Sequence, residues 1–192
     1  MKKSILLIAA LAMLGVATAV AQPRAIGGQL GYLLEASYEH SLGDNFLEAD
    51  LGFPGLFLSG FAMETVVTYN WLNPFGADFP QVSKGDWNWY MGPGLGLGFG
   101  ILDRRYNFSG VEERIQSHSF YFGAAGRFGV EYNFWFPLQL SAEWRPVVGP
   151  AFGGYKETNV NTGAVIDERS VVGFNVTSLY ATAFVLGVRY KF

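Results

Sequence analysis

Two sets of side chains in this sequence could do chemistry: acids and bases that recur at alternate positions, and a histidine with a serine on each side. Carboxylates and guanidinium groups that face one another can form ion pairs, or line a path for protons or small cations. A histidine next to a hydroxyl can activate a nucleophile when an acid orients it. The chemistry therefore depends on which of these groups the fold brings together.

The acids and bases stand at every second position of certain segments, and the positions between them are apolar. Successive side chains of a β-strand point to opposite faces, so this alternation predicts strands with one apolar and one polar face. We expect the polar face to point inward. Its acids are Glu35, Glu39, Glu48, Asp50, Glu64, Glu131 and Glu143, and its bases are Arg127, Arg145, Arg189 and Lys191.

The histidine is His118, between Ser117 and Ser119. Alternation places both serines on the face opposite His118, which disfavours a nucleophile–base pair between neighbours. His40 is the only other histidine, and the chain has no cysteine, so a His-rich or thiolate metal site is excluded. We predict no catalytic residues, no metal and no cofactor.

A glycine at every second position from Gly92 to Gly100 resembles a phosphate-binding loop only superficially. Its period is two, without the G-x-G-x-x-G spacing, and no helix follows it. Glycines on the inward face instead make room for bulky side chains of neighbouring strands.

The alternating segments predict an all-β fold, a closed antiparallel barrel of about eight transmembrane strands. An even number of strands places both termini on one side of such a barrel. By this parity the turns 41–45 and 133–136 would lie outside the cell and the connection 103–116 on the periplasmic side. The predicted strands are 26–40, 47–53, 61–72, 87–101, 118–132, 138–145, one within 149–157, and a last one from near Phe174, with 73–86 and 158–170 as further loops.

The composition is unusual for a water-soluble domain. Charged residues make up 15% of the chain, against about 25% in typical domains, and no stretch after the first twenty residues is apolar enough for a membrane helix. Lys2 and Lys3 precede an apolar run that ends at Ala19-Val20-Ala21, which predicts a cleaved signal peptide over 1–21 and a single domain over 22–192. A net charge of −3 gives no basic footprint for nucleic acid.

Aromatic residues collect near the predicted strand ends. Membrane barrels carry such girdles at both interfaces, whereas a site that stacks carbohydrate is the alternative. The residues concerned are Trp71, Trp87, Trp89, Tyr132, Trp135, Trp144, Tyr190 and Phe192.

The chain as a whole resembles the small outer-membrane β-barrel family of the OmpA/OmpX type, especially the compact barrels of Bacteroidetes. The resemblance implies a bacterial outer-membrane location, membrane lipids as surroundings, and Tyr190 and Phe192 as the C-terminal signal that the barrel-assembly machinery reads. The segments that carry it are Glu35–His40, Trp89–Gly94, Gly129–Phe134, Trp144–Pro146 and Leu186–Phe192.

We therefore expect a structural or surface-interaction protein whose polar lumen is largely plugged by ion pairs. The excess of inward acids leaves a narrow cation channel or small-ligand carrier as the first alternative. A lipid A-modifying enzyme built around His118 is the second.

Overall fold

The computed structural model describes residues 23–53, 60–76, 84–108, 111–175 and 183–192, and these fold into antiparallel strands. The predicted signal peptide lies outside the described residues. The strands are β1 (Pro23–Leu30), β2 (Leu34–Leu42), β3 (Asn45–Phe53), β4 (Phe61–Pro74), β5 (Gly85–Phe108), β6 (Val111–Phe134), β7 (Gln139–Trp144), β8 (Val147–Asn159), β9 (Val165–Asn175) and β10 (Phe184–Lys191).

Eight of these strands close into a ring. Neighbours pair in the order β1–β2–β3–β4–β5–β6–β7–β10, and β10 pairs with β1 to complete the circle. The predicted all-β, antiparallel fold is thus confirmed, and so is the count of eight strands around a closed ring. Closure leaves no unpaired edge among the eight strands at this level of the ring.

Strands β5, β6, β8 and β9 continue beyond the ring as a sheet that we call the tall sheet. Strand β6 pairs with β7 near one end, through Phe128–Asn133, and with β8 further along, through Glu113–Ala125. Strand β9 pairs with β8. Within the described residues β9 has no second strand beside it, so it forms an edge of the tall sheet.

The prediction of a single strand over 26–40 is wrong, because these residues form a hairpin of two strands. Strands β1 and β2 are joined at Gly31–Leu33, where the Gly31 amide donates a hydrogen bond of 3.0 Å to the carbonyl of Leu33. The extra strand also reverses the predicted orientation. The turns near Gly43 and Trp135 lie at the same end as the termini, and the β5–β6 connection lies at the opposite end.

The charged segment 103–116 is not a loop, since it forms the paired tips of β5 and β6 up to Phe108 and Val111. The predicted loop 158–170 shortens to 160–164, and the following residues belong to β9. Phe174 belongs to β9 as well, so it does not begin the last strand, which starts at Phe184 after residues that the structure does not describe. The predicted strand within 149–157 exists as part of β8, but its predicted place in the closed ring is wrong, because β8 pairs with β6 and β9 in the tall sheet.

The two faces of the ring strands differ sharply in exposure. In β10, for example, Phe184, Leu186, Val188 and Tyr190 are exposed, whereas Val185 and Arg189 are buried. The glycines of β5 point inward as predicted and leave space for larger groups. A β-carbon on Gly98 would lie 2.4 Å from the ring of Tyr121, and one on Gly96 would lie 2.8 Å from Val147.

No helix among the described residues is both long and apolar enough to cross a membrane.

Candidate functional site

The interior of the ring holds a cluster of charged side chains, which we call the interior network. Eleven residues form it, and nine of them are buried, while the side chains of Arg24 and Glu64 remain 17% and 16% exposed. Its acids are Glu35, Glu39, Glu48, Asp50, Glu64, Glu131 and Glu143, and its bases are Arg24, Arg127, Arg145 and Arg189.

Two arginines meet at the centre of the network. Arg127 pairs with Glu48, Asp50 and Glu143, the last at 2.6 Å. Arg189 contacts Glu48 as well, and lies 2.8 Å from an oxygen of Glu143. Both guanidinium groups thus share the same carboxylates, an arrangement that compensates charges taken out of water.

Hydroxyl and amide groups complete the centre. Arg189 also donates hydrogen bonds to the hydroxyls of Ser37, at 3.0 Å, and Ser141, at 2.7 Å. The amide of Gln29 donates to Glu48 at 2.9 Å and to Glu143 at 3.1 Å. Several donors on each carboxylate satisfy lone pairs that burial would otherwise leave unpaired.

The end of the network toward the termini contains a base that the sequence analysis missed. Arg24 pairs with Glu39 and Glu131, and its guanidinium lies 4.3 Å from the centre of the Phe46 ring. Arg24 lies two residues before the outward Ile26, so regular alternation would place it on the outside as well. A bulge between Pro23 and Ala25 turns Arg24 inward instead. Lys191, predicted to be an inward base, instead donates to the backbone carbonyl of Phe134 at 3.4 Å.

The opposite end of the network lies below the tall sheet. Arg145 bridges Glu35 at 2.7 Å, Asp50 at 2.8 Å and Glu64 at 3.3 Å. The hydroxyl of Tyr121 donates a hydrogen bond to Glu64. The structure thus brings together ten of the eleven inward acids and bases predicted from the sequence, all except Lys191. The ten are Glu35, Glu39, Glu48, Asp50, Glu64, Arg127, Glu131, Glu143, Arg145 and Arg189.

The histidine and serines that were considered for a hydrolase site lie outside the interior network. His118 lies in β6 beside Gly154 of β8 and is exposed, while Ser117 and Ser119 point to the other face of the same strand. His40 accepts or donates one hydrogen bond of 3.0 Å with the hydroxyl of Tyr38. Neither histidine belongs to the interior network, and the described residues contain no cluster of His, Cys, Asp and Glu suited to a metal.

Aromatic rings line the outside of the ring toward the termini. Trp87 and Tyr132 lie 4.8 Å apart, and Tyr190 and Phe192 lie 5.4 Å apart. Toward the tall sheet the aromatic residues include Phe61 and Phe99, whose ring centres lie 5.5 Å apart, and the exposed Tyr32. Of the predicted girdle, Trp144 lies away from both groups, since it pairs with Phe128 and Phe184 on β6 and β10.

No protein-family model, curated protein sequence or solved structure matches this chain.

Proposed function

We propose that the chain is an integral outer-membrane β-barrel with a plugged polar lumen and a structural or surface-interaction role. The observation that carries this proposal is the inverted distribution of side chains. Charged groups fill the interior of the ring, and large apolar groups cover its outside, including Leu95 at 73% exposure and Leu186 at 63%.

Such a distribution is unfavourable in water. Charged residues are rarely buried in soluble proteins unless they are paired, and a buried leucine gains about 1.5–3 kcal/mol over an exposed one. A bilayer provides the missing apolar surroundings for the outer face, and the closed ring satisfies the backbone hydrogen bonds that lipid cannot. The outward leucines and phenylalanines then face lipid tails.

The dimensions and aromatic residues of the ring agree with this setting. Strands β2 to β6 have nine or more residues, and a tilted strand needs about 9–11 to cross the hydrocarbon core. The other ring strands are shorter, with eight residues in β1 and β10 and six in β7. Tryptophan and tyrosine rings near the termini suit a membrane interface, where a ring can be half wet. Tyr190 and Phe192 lie on the outside at this end and remain the predicted assembly signal.

The interior favours a structural role over a channel. Eight strands leave an interior just wide enough for side chains to fill, and the arginine–carboxylate pairs cross it from strand to strand. Arg127 of β6, for example, reaches Asp50 of β3. The tall sheet then extends beyond the membrane on the side opposite the termini, where it offers strand surfaces to external partners.

Refolding into lipid vesicles tests the proposal. We expect urea-denatured chain to fold only when vesicles or detergent are present, to migrate faster in unheated gels, and to give no stepwise current in planar bilayers. A folded, monomeric protein in lipid-free buffer would overturn the membrane assignment. Reproducible currents that disappear in Glu48→Gln would overturn the plugged lumen and identify a channel, and loss of acyl chains from lipid A that requires His118 would identify an enzyme.

A further inference from the structure

A cavity of about 740 Å³ lies where the ring meets the tall sheet. Its volume falls within the range of about 300–1,000 Å³ that is common for small-molecule sites. The turn Gly31–Leu33 and the start of β4 border it on the low side, and β5, β6 and β8 border it on the tall side. The difference in height between the two sides produces the recess.

The back of the cavity is formed by small residues of the tall sheet. They are Gly100 of β5, Ser117 and Ser119 of β6, and Ala151 of β8. Alternation places all four on the inward face of their strands, in register with the interior network. Because their side chains are short, the described residues leave the space above the network unfilled. Leu33, Leu102 and Val185 add apolar surface around it.

The floor of the cavity is charged, with an excess of acid. Glu35, Glu64, Tyr121 and Arg145 line it, and the one arginine is shared with the nearby Asp50. Glu64 is the most open of the ionised floor groups, with 16% of its side chain exposed. Among the described residues, Glu35 and the nearby Asp50 each retain a carboxylate oxygen without a hydrogen-bond donor. The two oxygens of Glu64 already accept from Tyr121 and Arg145, so of the residues that line the floor it is Glu35 that lacks a donor. The potential at the floor is therefore negative, and the surroundings there are poorly screened.

We propose that this cavity binds a small organic cation, with its ammonium group between Glu35 and Glu64 and its apolar part between Leu33, Leu102 and the glycine–serine wall. An ammonium supplies the donors and the positive charge that the floor lacks. A metal ion would leave the apolar walls unused, and an organic anion would meet unpaired carboxylates. This binding role goes beyond the proposed structural role and does not depend on a membrane location.

Two fluorescent probes with the same ring and chain length test the charge preference. Dansylcadaverine carries a primary ammonium, and dansyl-aminohexanoic acid carries a carboxylate at the equivalent position. With the full chain folded in amphipol, we expect saturable binding of the ammonium probe, seen as a rise in anisotropy, and at least roughly tenfold weaker binding of the carboxylate probe. Equal binding of both probes, or of neither, would overturn the proposal.

Three variants distinguish binding of the probe in the cavity from its nonspecific partitioning into the amphipol. Glu64→Gln removes the floor charge, and should weaken the ammonium probe by roughly tenfold. Ser119→Trp fills the cavity without changing a charge, and should abolish binding. Glu168→Gln makes the same chemical change on the exposed β9, 61% open to solvent, and should leave binding unchanged. Unheated gels establish that each variant is folded. Unaltered affinity in folded Glu64→Gln or Ser119→Trp, or an equal loss in Glu168→Gln, would place the probe elsewhere and contradict the proposal.

Discussion

Strands β5 and β6 pass through two regions of the molecule, and an arginine has different exposure and partners in each. Inside the ring, Arg127 of β6 is buried among Glu48, Asp50 and Glu143. In the tall sheet, Arg114 of the same strand pairs with Asp103 of β5, and both side chains are about 40% exposed. One strand pair therefore carries a dry ion-pair network at one end and a solvated ion pair at the other.

Closure of the ring explains why the two arginines differ in exposure. Inward and outward side chains alternate along the strands in both regions, so alternation cannot explain it. Where eight strands surround the inward face, its charges lose water and must find partners. Where only four strands continue, neither face is enclosed, and β9 is exposed along almost its whole length. The contribution of an arginine to the stability of this protein therefore depends on whether it lies inside the ring or in the tall sheet.

Of the substitutions that compare the two regions, removal of an interior arginine should change the free energy of unfolding most. Arg127→Ala removes one of the two arginines that contact each of Glu48, Asp50 and Glu143. The buried network then carries one more uncompensated negative charge, which should lower the free energy of unfolding by about 3–5 kcal/mol. Arg104→Ala is the matched control in the tall sheet, where the guanidinium donates a hydrogen bond to the hydroxyl of Tyr106. Urea titrations of vesicle-bound protein measure both changes. Similar losses for the two variants would contradict the distinction between the regions.

A cation on the outer face tests where the ring ends and the tall sheet begins. Leu97 is half exposed near the middle of β5, so Leu97→Arg should cost about 2–4 kcal/mol in a bilayer. Tyr190→Arg lies nearer the interface and should cost less, and Val172→Arg, 77% exposed in the tall sheet, should be close to neutral. Refolding titrations in vesicles give the order, and a reversed order would refute the assignment of the faces.

Glycine substitutions probe packing in the same two regions. A β-carbon at Gly98 would lie 2.4 Å from the Tyr121 ring, whereas one at Gly173 of β9 meets no atom within 4 Å. Gly98→Ala should therefore cost about 1–3 kcal/mol through overpacking. Gly173→Ala should be neutral or slightly stabilising, since it restricts the unfolded chain. Thermal unfolding monitored by gel shift distinguishes them, and equal melting temperatures would be inconsistent with this packing.

The smallest effect should come from the solvated ion pair of the tall sheet. The hydrogen bond from Arg114 holds the pKa of Asp103 below its usual value of about 3.9. Because the pKa is lowered on folding, the pair stabilises the sheet above the unfolded pKa, and the contribution disappears as pH falls through the folded pKa. Carbon-detected NMR of Asp103 should show a low midpoint that returns to the usual value in Arg114→Ala. An unchanged midpoint would show that the pair does not persist in solution.

The β1–β2 hairpin shows why alternation predicted the faces but missed a strand. Leu30 pairs with Leu34 across the turn, so paired residues differ by an even number and share the same parity. The in–out pattern therefore runs through Gly31–Leu33 without a break, and no periodicity can reveal the turn. Only Gly31 itself offered a local signal. Since one missed strand reverses the orientation of every later strand, the predicted sidedness was wrong as well.

Polar composition misled the prediction for the tips of β5 and β6. The segment from Asp103 to Gln116 is charged, as loops usually are. It forms strands because the two tips pair residue by residue from Leu102–Ser117 to Phe108–Val111 in solvent on both faces. Arg24 was missed for a different reason, since a bulge shifts its parity. Alternation is thus a good guide within regular strands and fails at turns, bulges and fully solvated hairpins.

A spin-label accessibility scan determines whether the outer face of the ring contacts lipid, and the absence of native cysteine allows single labels at chosen sites. Labels would be placed at Leu95, Leu97, Leu186 and Val188 on the ring, and at Val165 and Val172 on the tall sheet. In lipid vesicles we expect frequent collisions with oxygen and few with a water-soluble nickel complex at the four ring sites, and the opposite at the two β9 sites. Equal access of the nickel complex to both sets would contradict a ring that faces lipid.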